Sequence, residues 1–221
     1  MPEPIGAVLL DLDGTLADTA LDLGFALNQQ LRAHGRMAVP QETIRPQASH
    51  GARGLLKLGF DVTPESPNFS ALRAEFLAFY AQHICDHTVL FPGIPELLHE
   101  LEARGLLWGV VTNKPARFTL PLMQALKLEQ RAACIISGDT TAHSKPHPEP
   151  LLAASTQVGV TSSACLYVGD AARDVEAALA AGMRVLIANY GYLADEDRPD
   201  TWGAHGRIEV PREVLDYLRG G

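Results

Sequence analysis

Residues 7–15 read Ala7-Val8-Leu9-Leu10-Asp11-Leu12-Asp13-Gly14-Thr15, four apolar side chains running directly into two acids and a glycine. A short run that is apolar at every position reads as a strand buried on both faces. Side chains alternate along an extended chain, so Asp11 and Asp13 leave the strand's carboxyl end on the same side. Such a pair suits metal binding together with catalysis, because one carboxylate can attack while its neighbour handles protons. A solvated Asp-Gly turn is the plainer alternative. A calcium loop is another, but it lacks the third acid and has Asp22 where a glutamate belongs.

Similar apolar runs return at 107–111, 134–137, 165–168 and 185–188. Between them lie helical stretches with readable ends. Pro95 opens one whose stripe is Leu97, Leu98 and Leu101, closed by Gly105; 149–158 closes at Gly159 and 174–181 at Gly182. Strand and helix in alternation predict an α/β fold, a doubly wound, Rossmann-like parallel sheet. One stretch breaks the alternation. Within 18–86, Ala20, Leu23, Leu27 and Leu31 give one helical apolar face, and Leu72, Phe76, Phe79, Tyr80 and His83 give another. Pro40, Pro46, Pro64 and Pro67 mark loops between them. The expected organisation is an α/β core of residues 1–17 and 87–221, with a small helical cap domain, 18–86, inserted after the first strand.

Three further polar groups follow strand ends. Thr112 and Asn113 close Val110-Val111-Thr112-Asn113, where a hydroxyl and a backbone N–H can bind phosphate oxygens. Taken alone, helix capping explains them better. Lys145 sits in Ser144-Lys145-Pro146-His147-Pro148, where prolines restrict the backbone and aim the side chain. Asp170 and Asp174 lie in Val168-Gly169-Asp170-Ala171-Ala172-Arg173-Asp174, and Gly169 permits close backbone approach. Acids at a helix start also complement its dipole. In a parallel sheet, however, all carboxyl ends share one edge, which is where such folds bind ligands. Four polar groups in order on that edge supply carboxylates for one Mg²⁺ and a hydroxyl plus a lysine for a phosphoryl group.

These residues carry a resemblance. DLDGT, VVTN, the lysine of SKPHPEP and GDAARD resemble, in order, the four motifs of the haloacid dehalogenase superfamily, across essentially the whole chain. The resemblance implies a Mg²⁺-dependent phosphatase. Asp11 would form an aspartyl-phosphate, while Asp13 protonates the leaving oxygen and then activates water. Thr112 and Lys145 would hold the phosphate, with Leu12 and Asn113 beside it. Asp11, the Asp13 carbonyl and Asp170 would bind the metal, with Asp174 acting through water or by orienting Lys145. An acid at position 13 argues against the dehalogenases that name the superfamily. Leu10 stands where many relatives have Phe, and Ala171 where Ser is common.

The helical insertion resembles the family's mobile cap, which closes over the site. Its specificity segment would be Ser49-His50-Gly51-Ala52-Arg53-Gly54, with His50 and Arg53 facing substrate and Arg53 gripping a carboxylate. A solvent-facing arginine is the alternative. The Asn189-Tyr190-Gly191-Tyr192 turn and overall layout resemble phosphoglycolate phosphatases. WGVVTNKPARF, SHGARGLL and DTWGAH more resemble the N-acetylmuramic acid 6-phosphate phosphatases of cell-wall recycling, and that ester is the preferred expectation. A phosphomutase and a silent phosphate-binding regulator are further readings; retention of Asp11 and Asp13 argues against the regulator.

Composition narrows the remaining classes. The chain has 221 residues, 47% apolar, enough for one core plus a small second unit. Its formal charge of −8, without a Lys/Arg run, argues against nucleic-acid and membrane partners. A small-molecule phosphate ester acted on by a monomer or weak homodimer is expected. The apolar run at the start is too short for a signal peptide, and Cys85, Cys134 and Cys165 form no Cys-x-x-Cys, so a cytoplasmic location is expected. His83, Cys85 and His87 alternate like zinc ligands, but no fourth ligand is evident and ordinary hinge packing is the preferred reading.

Overall fold

The computed structural model describes residues 3–218. Six parallel strands form the main sheet: β1 (Ala7–Leu10), β4 (Leu107–Val111), β5 (Cys134–Ile136), β6 (Cys165–Gly169), β7 (Arg184–Ala188) and β8 (Gly206–Ile208). Their order is β5-β4-β1-β6-β7-β8. Beginning at a central strand and winding outward both ways is the doubly wound topology that the alternation predicts. The helices α5 (Ile94–Ala103), α6 (Ala116–Ala125), α7 (Glu149–Val158) and α8 (Ala172–Ala180) are the crossovers, and the short α9 (Val214–Tyr217) follows β8.

Register places the site. Leu10 of β1 lies opposite Val110 on one side and Val168 on the other. Three strands therefore end at one level, so Asp11, Thr112 and Asp170 all emerge on one edge. The turn beyond β1 needs Gly14, whose φ is +86° and where a Cβ would overlap the Asp170 carboxylate.

The segment after β1 is helical. β2 (Ala17–Asp18) pairs antiparallel with β3 (Val89–Leu90), and this ribbon frames α1 (Ala20–Ala33), α2 (Gln41–Ile44), α3 (Gly51–Phe60) and α4 (Phe69–Gln82). Helices α1, α3 and α4 pack on one another, with Ala20, Leu23, Leu27 and Leu31 of α1 and Leu72, Phe76 and Tyr80 of α4 buried. Each buried leucine stabilises this packing by about 1.5–3 kcal/mol relative to exposure. None of the helices is long and apolar enough to cross a membrane among the described residues.

Four details depart from the sequence reading. Ser137 falls outside β5, and α8 begins two residues earlier than its periodicity suggests. β8 was not anticipated, because three residues with Arg207 at the centre give no apolar run. Nor was α6, which contains Pro121.

Asp22, read only as a misplaced calcium-loop residue, is fully buried on α1. Its carboxylate accepts from the backbone N–H of His87 at 3.0 Å, and from the N–H and hydroxyl of Thr88 at 2.8 and 2.7 Å. It thereby fastens the chain returning from α4 to the start of α1. His87 Nδ1 lies 3.0 Å from the same group, and His83 instead pairs with Asp86. Among the described residues, His83, Cys85 and His87 form no common ligand group. Asp22→Ala should cost about 2–4 kcal/mol, measured by urea unfolding, because several buried donors lose a charged acceptor.

Candidate active site

The Lys145 side chain is wholly buried among four oxygens. Its Nζ lies 2.7 Å from Asp174 Oδ1, 3.0 Å from Asp11 Oδ1, 2.8 Å from the Val111 carbonyl and 2.7 Å from the Tyr167 hydroxyl. Its loop is fixed by Asn113: the amide donates to the Lys145 carbonyl at 2.9 Å and accepts the Lys145 N–H at 3.0 Å. The Asn113 side chain thus clamps the lysine backbone.

Asp11, Asp170 and Asp174 are all buried, with ligand oxygens within 4.8 Å of one another. Close approach is possible because a Cβ on Gly169 would strike Asp174. Burial lifts the Asp11 pKa above the carboxylate range; Lys145 opposes this and Asp174 adds to it. Burial, with Asp11 and Asp174, raises Asp170 to about 7. For Asp174 burial is outweighed by Lys145 and Arg173, and its pKa lies below the usual value. Three acids thus outnumber the two cations that face them, and two hold protons more tightly than free acids do. A donor set of hard carboxylate oxygens short of positive charge fits a divalent cation of the Mg²⁺ or Ca²⁺ class.

Asp13 has a different environment. It is half-buried, and both its oxygens accept from Lys114 Nζ, at 2.9 and 3.1 Å. Thr19 Oγ1 also donates to it at 2.6 Å. Burial works against the Lys114 charge, but Asp13 and Tyr80 outweigh that and hold its pKa above normal. Its Nζ stands 4.7 Å from the Tyr80 ring centroid. Two neighbouring acids are therefore served by two separate lysines.

Of the remaining expected residues, Thr112, His50 and Arg53 line a cavity of about 850 Å³ between the sheet edge and the helical segment, and Leu12 does not. Thr112 is buried, and its hydroxyl accepts the Lys114 N–H at 3.1 Å. Leu12 is fully buried and its N–H donates to Asp11 at 2.8 Å. His50 and Arg53 line the opposite wall with exposed side chains, and Arg73 of α4 joins them.

Sequence reasoning missed Lys114, Tyr167, Arg173, Ser49 and the role of Tyr192. Lys114 directly follows the strand-end Asn113, a signal that could have found it. Tyr167 lies inside an apolar strand and looks like a core residue. The Tyr192 hydroxyl accepts from the N–H groups of Thr19 and Ala20 at 2.6 and 3.0 Å, pinning the entry to α1. His143, His147 and Glu149 also lie close together, but the Glu149 carboxylate already accepts the N–H and ring nitrogen of His143 at the start of α7.

In metal-free protein at neutral pH, Lys145→Met should lose about 3–5 kcal/mol of stability, because it strands two buried acids. Lys145 favours the charged forms of both Asp11 and Asp174 against their burial, so without it the loss should be largest at and above neutrality and shrink as falling pH protonates them. Denaturant titrations across pH would check this.

The family model for haloacid dehalogenase-like hydrolases matches residues 8–188. An N-acetylmuramic acid 6-phosphate phosphatase of Pseudomonas aeruginosa is 44% identical over 213 residues, 96% of this chain and 94% of that protein. A phosphoglycolate phosphatase of Xylella fastidiosa is 42% identical over 207 residues, 92% of this chain and 89% of that protein. In three dimensions the chain is similar to a predicted phosphoglycolate phosphatase from Haemophilus somnus, with a TM-score of 0.85 at 23% identity, over 97% of this chain and 98% of that one. With four motif groups assembled on one sheet edge and a family match across most of its length, the chain belongs to the haloacid dehalogenase-like hydrolases.

Proposed function

We propose that this phosphatase hydrolyses a small, carboxylate-bearing phosphate monoester through an aspartyl-phosphate on Asp11, and that the ester is N-acetylmuramic acid 6-phosphate. The observation that carries the mechanism is the division of labour between two neighbouring acids, Asp11 beside Lys145 and Asp13 beside Lys114. An Asp11 oxygen attacks phosphorus, and the departing alkoxide takes a proton from Asp13. Asp13 then removes a proton from water, which attacks the acyl phosphate and regenerates Asp11. Lys145 and the Thr112 hydroxyl hold phosphoryl oxygens, with Leu12 and Asn113 forming the adjoining backbone. Mg²⁺, held by Asp11, the Asp13 carbonyl and Asp170, would neutralise phosphoryl charge, while Asp174 orients Lys145.

Residues 18–86 act as a cap over a core of 1–17 and 87–221. The cap wall offers Arg53 for a carboxylate. It also offers His50, whose imidazole is suited to a sugar hydroxyl. The choice of ester rests on two supports. The relative of that name is similar over nearly the whole chain. The cavity of about 850 Å³ also lies in the range that takes drug-sized ligands, ample for an amino-sugar phosphate. Phosphoglycolate is the second reading, favoured by the Xylella relative.

Asp11→Asn should fold normally and lose turnover by about three orders of magnitude or more, since an amide is a poor nucleophile toward phosphorus. Chelator should abolish wild-type activity and Mg²⁺ restore it, and Mg²⁺ should raise the melting temperature of wild type but not of Asp170→Ala. In a panel of esters, Arg53→Ala should reduce kcat/KM on the preferred carboxylate-bearing one about 10- to 100-fold, the usual worth of a hydrogen bond to a charged group. Hydrolysis of p-nitrophenyl phosphate, which has no carboxylate, should change much less.

A further inference from the structure

One polar chain joins the helical segment to the carboxylate cluster. Arg173, in the first turn of α8, donates through Nη2 to the Ser49 carbonyl at 2.7 Å and to the Ser49 hydroxyl at 3.1 Å. The same hydroxyl lies 3.0 and 3.2 Å from the two oxygens of Asp170. A guanidinium only donates and an ionised carboxylate only accepts. With Asp170 ionised, the hydroxyl between them has one orientation, its lone pair toward Arg173 and its proton toward Asp170. From the core side, the Tyr192 N–H donates to Asp170 at 2.9 Å and holds the far end of the chain.

What Ser49 controls follows from its place. It lies in the 3₁₀ turn Arg45–His50, immediately before α3. The joint between turn and helix is Gly51, at φ 55° and ψ −147°, a conformation that essentially only glycine adopts without strain. Ser49 is the direct chain neighbour of His50 and lies four residues before Arg53, so a contact that holds Ser49 holds the start of this segment. His50 and Arg53, on either side of Gly51, line the cavity opposite Asp11.

We propose that Arg173 is a positioning residue for substrate recognition: through Ser49 it docks the start of α3 on the carboxylate cluster and so places His50 and Arg53 relative to Asp11. Arg173 touches no substrate in this role. Both bonds come from the one Nη2, and lysine would keep the charge but carries its nitrogen one bond nearer the backbone, short of that position. The consequence for selectivity rests on the cap reading given above, whereas the docking contact does not.

The test is a double-mutant cycle with Arg173→Lys, Ser49→Ala and the double variant, read in two ways. The first is amide hydrogen exchange of residues 49–54 in the free protein, which should accelerate about tenfold or more in both single variants as the local opening becomes easier. The second is steady-state kinetics on the best ester of the panel and on p-nitrophenyl phosphate. KM for the ester should rise about 5- to 20-fold in each single variant, with kcat on p-nitrophenyl phosphate falling by less. The double variant should resemble Arg173→Lys alone, because both changes interrupt one chain. Unchanged exchange in both single variants would overturn the docking contact, whatever the substrate. Accelerated exchange with strictly additive KM effects, or with equal losses on both substrates, would overturn the positioning role. A wild type that hydrolyses no ester in the panel would count against the proposed function instead, and exchange would still decide the docking.

Discussion

A lysine ammonium with no exposed side-chain surface is the constraint on which the rest of this molecule depends. Alone, such a charge would be strongly unfavourable inside a protein, and so would each acid around it. Together, Lys145, Asp11 and Asp174 offset most of one another's desolvation, and the Val111 carbonyl and Tyr167 hydroxyl complete the shell. That arrangement demands that three strand ends and one loop converge within hydrogen-bonding distance. The parallel register does this by ending β1, β4 and β6 at one level. The Asn113 amide then ties the Lys145 loop to the end of β4.

The compensation is incomplete, and the remainder is what gives the site its chemistry. Asp170 has no lysine of its own; it is met by a serine hydroxyl, a backbone N–H and the nearby Arg173, and its pKa stands near 7. A site that keeps unneutralised acids next to Asp11 suits the arrival of positive charge. Asp13 sits outside this group and is paired with its own lysine, Lys114. The helical segment touches both systems: Ser49 reaches Asp170, and Tyr80 packs beside Lys114.

Much of this was legible in the sequence because it depends on periodicity and on strand ends. Continuous apolar runs announce buried parallel strands, and acids placed directly beyond them must lie on the shared edge. The apolar faces of α1 and α4 are legible for the same reason. What escaped depends on contacts far apart in the chain. Tyr167 looks like any aromatic residue in a strand, and only the fold brings its hydroxyl to Lys145. Asp22 shows no local pattern for a residue that fastens a segment 65 positions away. Asn113 was legible as a polar group at a strand end, but its partner, the Lys145 backbone, was not. β8 has too few residues to show an alternation, and a proline hides α6.

The claim that Asp11 becomes covalently phosphorylated can be examined most directly by borohydride trapping. The enzyme would be quenched during turnover of its best ester, reduced, digested and sequenced by mass spectrometry. An acyl phosphate on Asp11 is converted to homoserine, so the peptide spanning 7–15 should carry homoserine at position 11 only when ester is present. Homoserine at position 13 or elsewhere, or an unmodified Asp11 during steady turnover, would contradict the account.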